Sequence, residues 1–130
     1  MTNREILTAA AATVCESATD AQIEDYESRA PYILAAFCMQ CKSVDRNYRR
    51  AYSQDPVSYP NKAVLALDEE FPLLPELVPA ATFYLAAMLV VDENEKLSDK
   101  LLDLYTDAIA TLAASLPAAA EKILNKYEAI

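Results

Sequence analysis

One uncharged stretch constrains the fold of this 130-residue chain more than any other feature. It runs over 15 residues, from Leu77 to Val91, and the acidic residues of Asp92–Glu95 follow it. A helix that is apolar on nearly every side must be enclosed by other protein elements. With Pro79 inside it, the stretch is also short of the roughly 20 residues that span a bilayer. The sequence therefore predicts a buried central helix and no membrane contact.

A second, amphipathic helix is expected directly after the acidic break. Asn94 is a good N-cap residue for it. Apolar residues then recur on one helical side, with charged residues on the other. The apolar positions are Leu97, Leu101, Leu104, Tyr105, Ala108, Ile109 and Leu112. Because the break has only four residues, the two helices should be antiparallel neighbours at the centre of a bundle.

The first half of the chain also predicts helices. Thr2 with Glu5, and Thr19 with Gln22, fit the capping-box pattern at two helix starts. After Thr19, apolar residues recur every three or four positions as far as Tyr48. Pro31 interrupts this stripe. The pattern predicts either two helices, about 20–29 and 31–52, or one helix kinked at the proline.

Together these patterns predict an all-α fold, a compact bundle of four to six helices with a central antiparallel helix pair. The length suits a single domain over residues 1–130. Pro117 is suited to open a last helix. We expect the N-terminal helix and this C-terminal helix, residues 117–130, to be peripheral.

Composition removes several functional classes. The chain has no glycine, so phosphate-binding loops that need close backbone approach are excluded. It has no histidine either, so Ser-His-Asp and Cys-His catalysis cannot be built. The net charge of −9 opposes nucleic-acid binding through the overall field. We therefore expect a protein that is not an enzyme and holds no cofactor.

The three cysteines predict structural thiols. An odd number of cysteines, with no signal peptide in view, suits a reducing cytoplasm. Cys38 and Cys41 have the CxxC spacing, but they lie mid-helix on or beside the apolar stripe. Redox motifs of this form open a helix instead, where the dipole lowers the thiol pKa. Burial of both thiols is the better interpretation.

A basic cluster is the candidate interface. Four of the eleven basic residues fall within nine positions, at Lys42, Arg46, Arg49 and Arg50. Their spacing places them near one helical face, and Tyr52 and Tyr59 follow closely. One interpretation is a patch for an acidic partner surface or for DNA phosphate. The other is favourable pairing with the C-terminal helix dipole.

The acidic residues from Asp92 to Asp99 permit an alternative chemistry. Glu95 and Asp99 are four residues apart and can share a helical face. Helical carboxylates hold Mg²⁺ in enzymes that cleave nucleotides. Acids at this turn also stabilise the start of the next helix.

One segment of the chain carries a family resemblance. Its features are Leu67–Glu70, Pro72, Pro75, Tyr84–Ala87, Asp92–Asn94 and Tyr105. In this order they resemble the tailed-phage head–tail connector, or adaptor, proteins. The resemblance covers about a third of the chain closely, and the N-terminal helices match more loosely.

The resemblance implies a small helical structural protein of a phage or prophage. Such a protein assembles as a ring of identical subunits below the portal vertex and contacts a portal or tail protein. It would be found in the virion or in the cytoplasm of the bacterial host, and its negative charge opposes direct contact with DNA. The alternatives are a magnesium-dependent nucleotide hydrolase using the Asp92–Asp99 carboxylates and a small regulatory interaction protein of a mobile element.

Overall fold

Four α-helices form the regular structure of the residues that the computed structural model describes, 1–15 and 17–116. They are α1 (Asn3–Val14), α2 (Asp20–Ala51), α3 (Val78–Val90) and α4 (Glu95–Ala114). A turn of 3-10 helix at Pro75–Leu77 leads into α3. In the described part of the chain no β-strand forms beyond an isolated bridge between Thr2 and Glu70. The predicted all-α bundle is confirmed, while the helix predicted after Pro117 lies outside the described residues.

Side-chain caps set the starts of three helices, as the sequence predicts. The Thr2 hydroxyl accepts a hydrogen bond from the Glu5 backbone N–H, and the Glu5 carboxylate accepts one from the Thr2 N–H. Thr19 and Gln22 make the same reciprocal pair at α2. The Asn94 side chain accepts from the Leu97 N–H at α4. Each cap satisfies backbone donors that the first helical turn leaves without a partner.

The helix α2 continues through Pro31 as one element, which settles the choice that the sequence left open. An interior proline removes a backbone donor and costs about 3 kcal/mol. Here Ala30 and Leu34, on either side, are fully buried. The Pro31 carbonyl also accepts a hydrogen bond from the Leu65 N–H of a distant segment. Tertiary packing therefore outweighs the local preference for a break.

The helix α3 is the centre of the bundle and packs against α1, α2 and α4. Leu85, Ala86 and Ala87 in its middle are completely buried, as an all-round apolar pattern requires. The helices α3 and α4 are antiparallel. Ser98 near the start of α4 donates to the Ala87 carbonyl near the end of α3, and Pro79 at the start of α3 lines the same groove as Leu112 near the end of α4.

The N-terminal helix, expected at the periphery, contributes fully buried side chains to the core. Ile6 and Ala10 of α1 have no exposed surface, and α1 packs directly on α3. Backbone hydrogen bonds also join its start to the irregular segment before α3, for example from the Arg4 N–H to the Leu67 carbonyl and from the Phe71 N–H to the Met1 carbonyl. The segment is thereby held across the core.

No helix among the described residues is both long enough and apolar enough to cross a bilayer.

Candidate functional site

A cleft of about 350 Å³ lies at the C-terminal end of α2. The residues that line it come from the last two turns of the helix and from the loop that follows. They are Arg46, Arg49, Arg50, Gln54, Pro56, Val57 and Tyr59. Four of the six candidate interface residues predicted from the sequence are therefore brought together in one cleft.

Asp45 organises this end of the molecule although it does not line the cleft. Its side chain is fully buried. Its carboxylate accepts hydrogen bonds from Arg49 Nε at 2.7 Å, from the Tyr59 hydroxyl at 2.6 Å and from the Leu74 backbone N–H at 2.8 Å. We call these four groups the Asp45 network. A buried charge is tolerated only when it is paired and hydrogen-bonded. Because its three donors come from α2, from the loop after α2 and from the segment before α3, the Asp45 carboxylate joins these three parts of the chain.

Tyr59 is held in place by this network and presents its ring to the cleft. Removal of the phenol from water and its hydrogen bond to the Asp45 carboxylate raise the pKa of Tyr59 to about 12. The hydroxyl therefore remains a proton donor to Asp45 at neutral pH. The guanidinium carbon of Arg46 lies 5.5 Å from the centroid of the Tyr59 ring, a distance at which a cation is attracted to an aromatic face.

The cleft is positively charged on a protein whose net charge is −9. Arg49 is paired with Asp45 and only 15% of its side chain is exposed. Arg46 and Arg50 are exposed, and neither has an ion-pair partner among residues 1–15 and 17–116. Two guanidinium groups are thus available to a partner.

The other two predicted interface residues lie outside the cleft. Lys42 is exposed one helical turn before Arg46 and is not among the lining residues. Tyr52 is 48% exposed, and its ring packs against Tyr48 with 4.6 Å between the centroids. Sequence reasoning missed Asp45, although its position four residues before Arg49 is the spacing of a helical ion pair.

The CxxC thiols are buried, as the sequence predicts. Cys38 and Cys41 are each nearly inaccessible. Burial raises the pKa of the Cys38 thiol to about 12 and also raises the pKa of Cys41, whose sulfur is 3.8 Å from the Tyr105 hydroxyl. Because the thiolate is the reactive form, neither sulfur is poised to react at neutral pH.

The acidic residues around Asp92–Asp99 are exposed at the turn between α3 and α4 and in the first two turns of α4. Within the described ranges, no group of three or more His, Cys, Asp or Glu side chains is arranged to hold a metal ion. The amide of Asn94, between the acids, is engaged as the cap of α4.

A second surface feature is a shallow apolar groove between the start of α3 and the end of α4, with a volume of about 510 Å³. We call it the α3–α4 groove. Its main apolar residues are Pro79, Phe83, Leu104, Ala108 and Leu112, and Glu76 and Asp107 are its acidic members. Leu104 is 38% exposed.

Comparisons of the chain with protein-family models, with curated proteins and with solved structures give no match.

Proposed function

We propose that this protein is a structural protein of a phage or prophage that acts at the portal vertex in the manner of a head–tail connector. The observation that carries the proposal is the position of the segment that bears the resemblance. Residues from Leu67 to Leu112 supply α3, the most enclosed helix, and most of α4, its antiparallel neighbour. The resemblance therefore falls on the part of the chain that makes the bundle a stable block.

The mechanism would be geometric. A subunit that serves as a building block needs a core that does not rearrange and surfaces that meet other subunits. Close packing around Leu85 and Phe37, which are both fully buried, provides a core of this kind. The α3–α4 groove would supply an apolar face for a neighbouring copy. In a ring, each subunit would use two different faces, because head-to-tail contacts are heterologous.

The portal or tail partner would then meet the end of α2. The cleft there has a net positive charge and a wall from the loop after α2. Charged residues at such contacts chiefly direct the approach and orientation of a partner. This division of roles leaves the α3–α4 groove for copies of the chain and the cleft for the partner.

The test is assembly in solution. Mass measurement and negative-stain imaging of the full chain, with and without the portal protein of the same phage or prophage, should show rings that form or become more abundant when the portal is present. Leu104→Asp should weaken the association of subunits, because it puts a charge in the α3–α4 groove. Met39→Asp is the matched control, since Met39 is exposed on α2 and lies outside both surface features.

A strict monomer with no affinity for the portal would contradict the proposal. The same preparation addresses the magnesium-dependent alternative. A metal that binds the folded state must stabilise it, so a rise in melting temperature at millimolar Mg²⁺ that disappears in Glu95→Gln would favour an enzyme instead.

A further inference from the structure

We propose that the cleft at the end of α2 binds an acidic peptide segment of a protein partner. A carboxylate would lie between Arg46 and Arg50, and a neighbouring apolar side chain would lie against Pro56 and Val57. The inference deepens the proposed function and rests on it in one respect, namely that the protein acts by binding other proteins.

The two available arginines have the right spacing for one carboxylate. Arg46 and Arg50 are four residues apart in α2, so their side chains leave the same face of the helix. Arg49, between them, has its charge offset by the buried Asp45. A guanidinium group donates paired hydrogen bonds that match the geometry of a carboxylate. Binding would therefore give a partner to two guanidinium groups that the described part of the chain leaves to solvent.

The site is also partly ordered before any partner arrives. The Asp45 network fixes Tyr59, and the Tyr59 ring in turn has Arg46 over its face at 5.5 Å. A side chain that is already held in position loses less conformational entropy when it binds. Arg46 is therefore better prepared to bind than an arginine extended freely into water.

The loop after α2 adds apolar groups to the lining of the cleft. They are Pro56 and Val57, and Val57 is 39% exposed although it is a β-branched apolar residue. A cleft of about 350 Å³ is near the lower end of the range for pockets that bind small ligands. It has room for a few side chains, and its mixed walls suit a peptide in which an acidic residue is next to an apolar one.

A nucleic acid fits the same cleft poorly. Duplex DNA carries one negative charge for about every 1.7 Å of its axis, and a protein of net charge −9 repels such a polyanion. Single strands are usually bound by stacking of bases on open aromatic faces, whereas the Tyr59 ring has Arg46 over it. A short peptide with one or two carboxylates meets far less of this repulsion.

The experiment measures the binding of defined probes to the full-length protein by fluorescence anisotropy at low and at moderate salt. The main probe is a short labelled peptide in which Glu alternates with Leu and Tyr. A second peptide has every Glu replaced by Gln, and a labelled single-stranded DNA of similar length is the third probe. The test variant is Arg46→Gln with Arg50→Gln, which leaves the Asp45 network intact.

Lys42→Gln with Lys62→Gln is the matched control. It removes the same amount of charge from exposed side chains that do not line this cleft. We expect the Glu peptide to bind more tightly than the Gln peptide. The arginine variant should lose about tenfold or more in affinity, since each charge-assisted hydrogen bond contributes roughly this factor. The lysine control should change affinity less than about threefold, mainly through the general field.

Equal binding of the two peptides, or an equal loss in the two double variants, would overturn the inference. So would tighter binding of the DNA that depends on Arg46 and Arg50, which would assign the cleft to nucleic acid. If the labelled peptide does not bind at all, the inference also fails. None of these outcomes depends on ring formation or on the portal, so they are distinct from a failure of the proposed function.

Discussion

Two completely buried side chains, Leu85 in the middle of α3 and Asp45 near the end of α2, are held by opposite kinds of interaction. Leu85 is surrounded by apolar groups and is stabilised by removal from water and by close packing. Asp45 is charged and is tolerated because three donors surround its carboxylate. The region around Leu85 is therefore stabilised by burial and close packing, and the region around Asp45 by the geometry of its hydrogen bonds.

The two regions should respond differently to substitution. Around Leu85, many small contacts share the energy, and neighbouring side chains can partly fill a gap. Around Asp45, a few directional bonds join three segments of the chain, so removal of one group leaves the others buried without a partner.

The largest effect is expected for Asp45→Ala. It leaves the Arg49 guanidinium, the Tyr59 hydroxyl and the Leu74 N–H without their acceptor, so the free energy of unfolding should fall by about 3–5 kcal/mol. Urea unfolding measures this value. Asp99→Ala is the control, because Asp99 is an exposed carboxylate in α4, and it should change the stability by less than about 0.5 kcal/mol. Equal losses would show that the network has no special role.

Leu85→Ala should reduce the free energy of unfolding by about 3 kcal/mol, through lost burial and the cavity that remains. Leu104→Ala removes the same atoms from a partly exposed site and should cost about 1 kcal/mol or less. Calorimetry of both variants provides the measurement. A loss for Leu85→Ala no greater than that for Leu104→Ala would mean that α3 is not the packed centre.

Tyr59→Phe removes one of the three donors to Asp45 and keeps the ring under Arg46. The expected loss in the free energy of unfolding is about 1–2 kcal/mol, which is typical of a hydrogen bond to a charged group. Tyr32→Phe, at an exposed position on α2, should have almost no effect. If Tyr59→Phe is also neutral, the loop is held to α2 by packing and not by the hydroxyl.

The smallest effect is a difference in alkaline stability. The folded-state pKa of Tyr59 is raised from 10.0 to about 12, so between these pH values the unfolded chain releases a proton that the folded protein retains. The contribution of Tyr59 to the free energy of unfolding is therefore complete below pH 10 and is lost as the pH rises towards 12. Tyr59→Phe should make the fall of melting temperature over this range less steep.

The melting temperature of Tyr59→Phe should still fall over this pH range, because burial also raises the pKa values of Tyr26, Tyr105 and Cys38. Absorbance of tyrosinate, followed in the native protein and in Tyr59→Phe, checks the assignment. An identical slope in the two proteins would show that Tyr59 ionises freely and that its hydroxyl is not bonded to Asp45.

The parts of the fold that sequence reasoning predicted depend on neighbouring residues. The Thr2, Thr19 and Asn94 caps act within one helical turn, and the amphipathic pattern of α4 is read directly from its spacing. The continuity of α2 through Pro31 was left open, because the compensating contacts come from Leu65 and from the core. A local pattern cannot reveal a partner that is more than thirty positions away.

The candidate site likewise has features that neighbouring residues predict and features that depend on distant parts of the chain. Arg46, Arg49 and Arg50 were identified as a cluster because they follow one another on a helix. The pairing of Arg49 with Asp45, four residues before it, is local to α2. That Tyr59 completes the cleft while Lys42 and Tyr52 lie outside it is a consequence of how the loop folds back on α2. Asp45 was missed because an acid among basic residues on a helix is usually solvated, and its burial depends on the approach of Leu74 from a different segment.

The sequence by itself determined that the protein is an all-α bundle around one apolar helix, because helical periodicity, caps and the absence of glycine act locally on every segment. Only the tertiary structure decided which charged groups remain available to a partner. The energy of a charge depends on its access to water and on the groups within a few ångströms. In this protein, Asp45 pairs with Arg49 on its own helix, but its other two hydrogen-bond donors, Tyr59 and Leu74, lie 14 and 29 positions further along the chain.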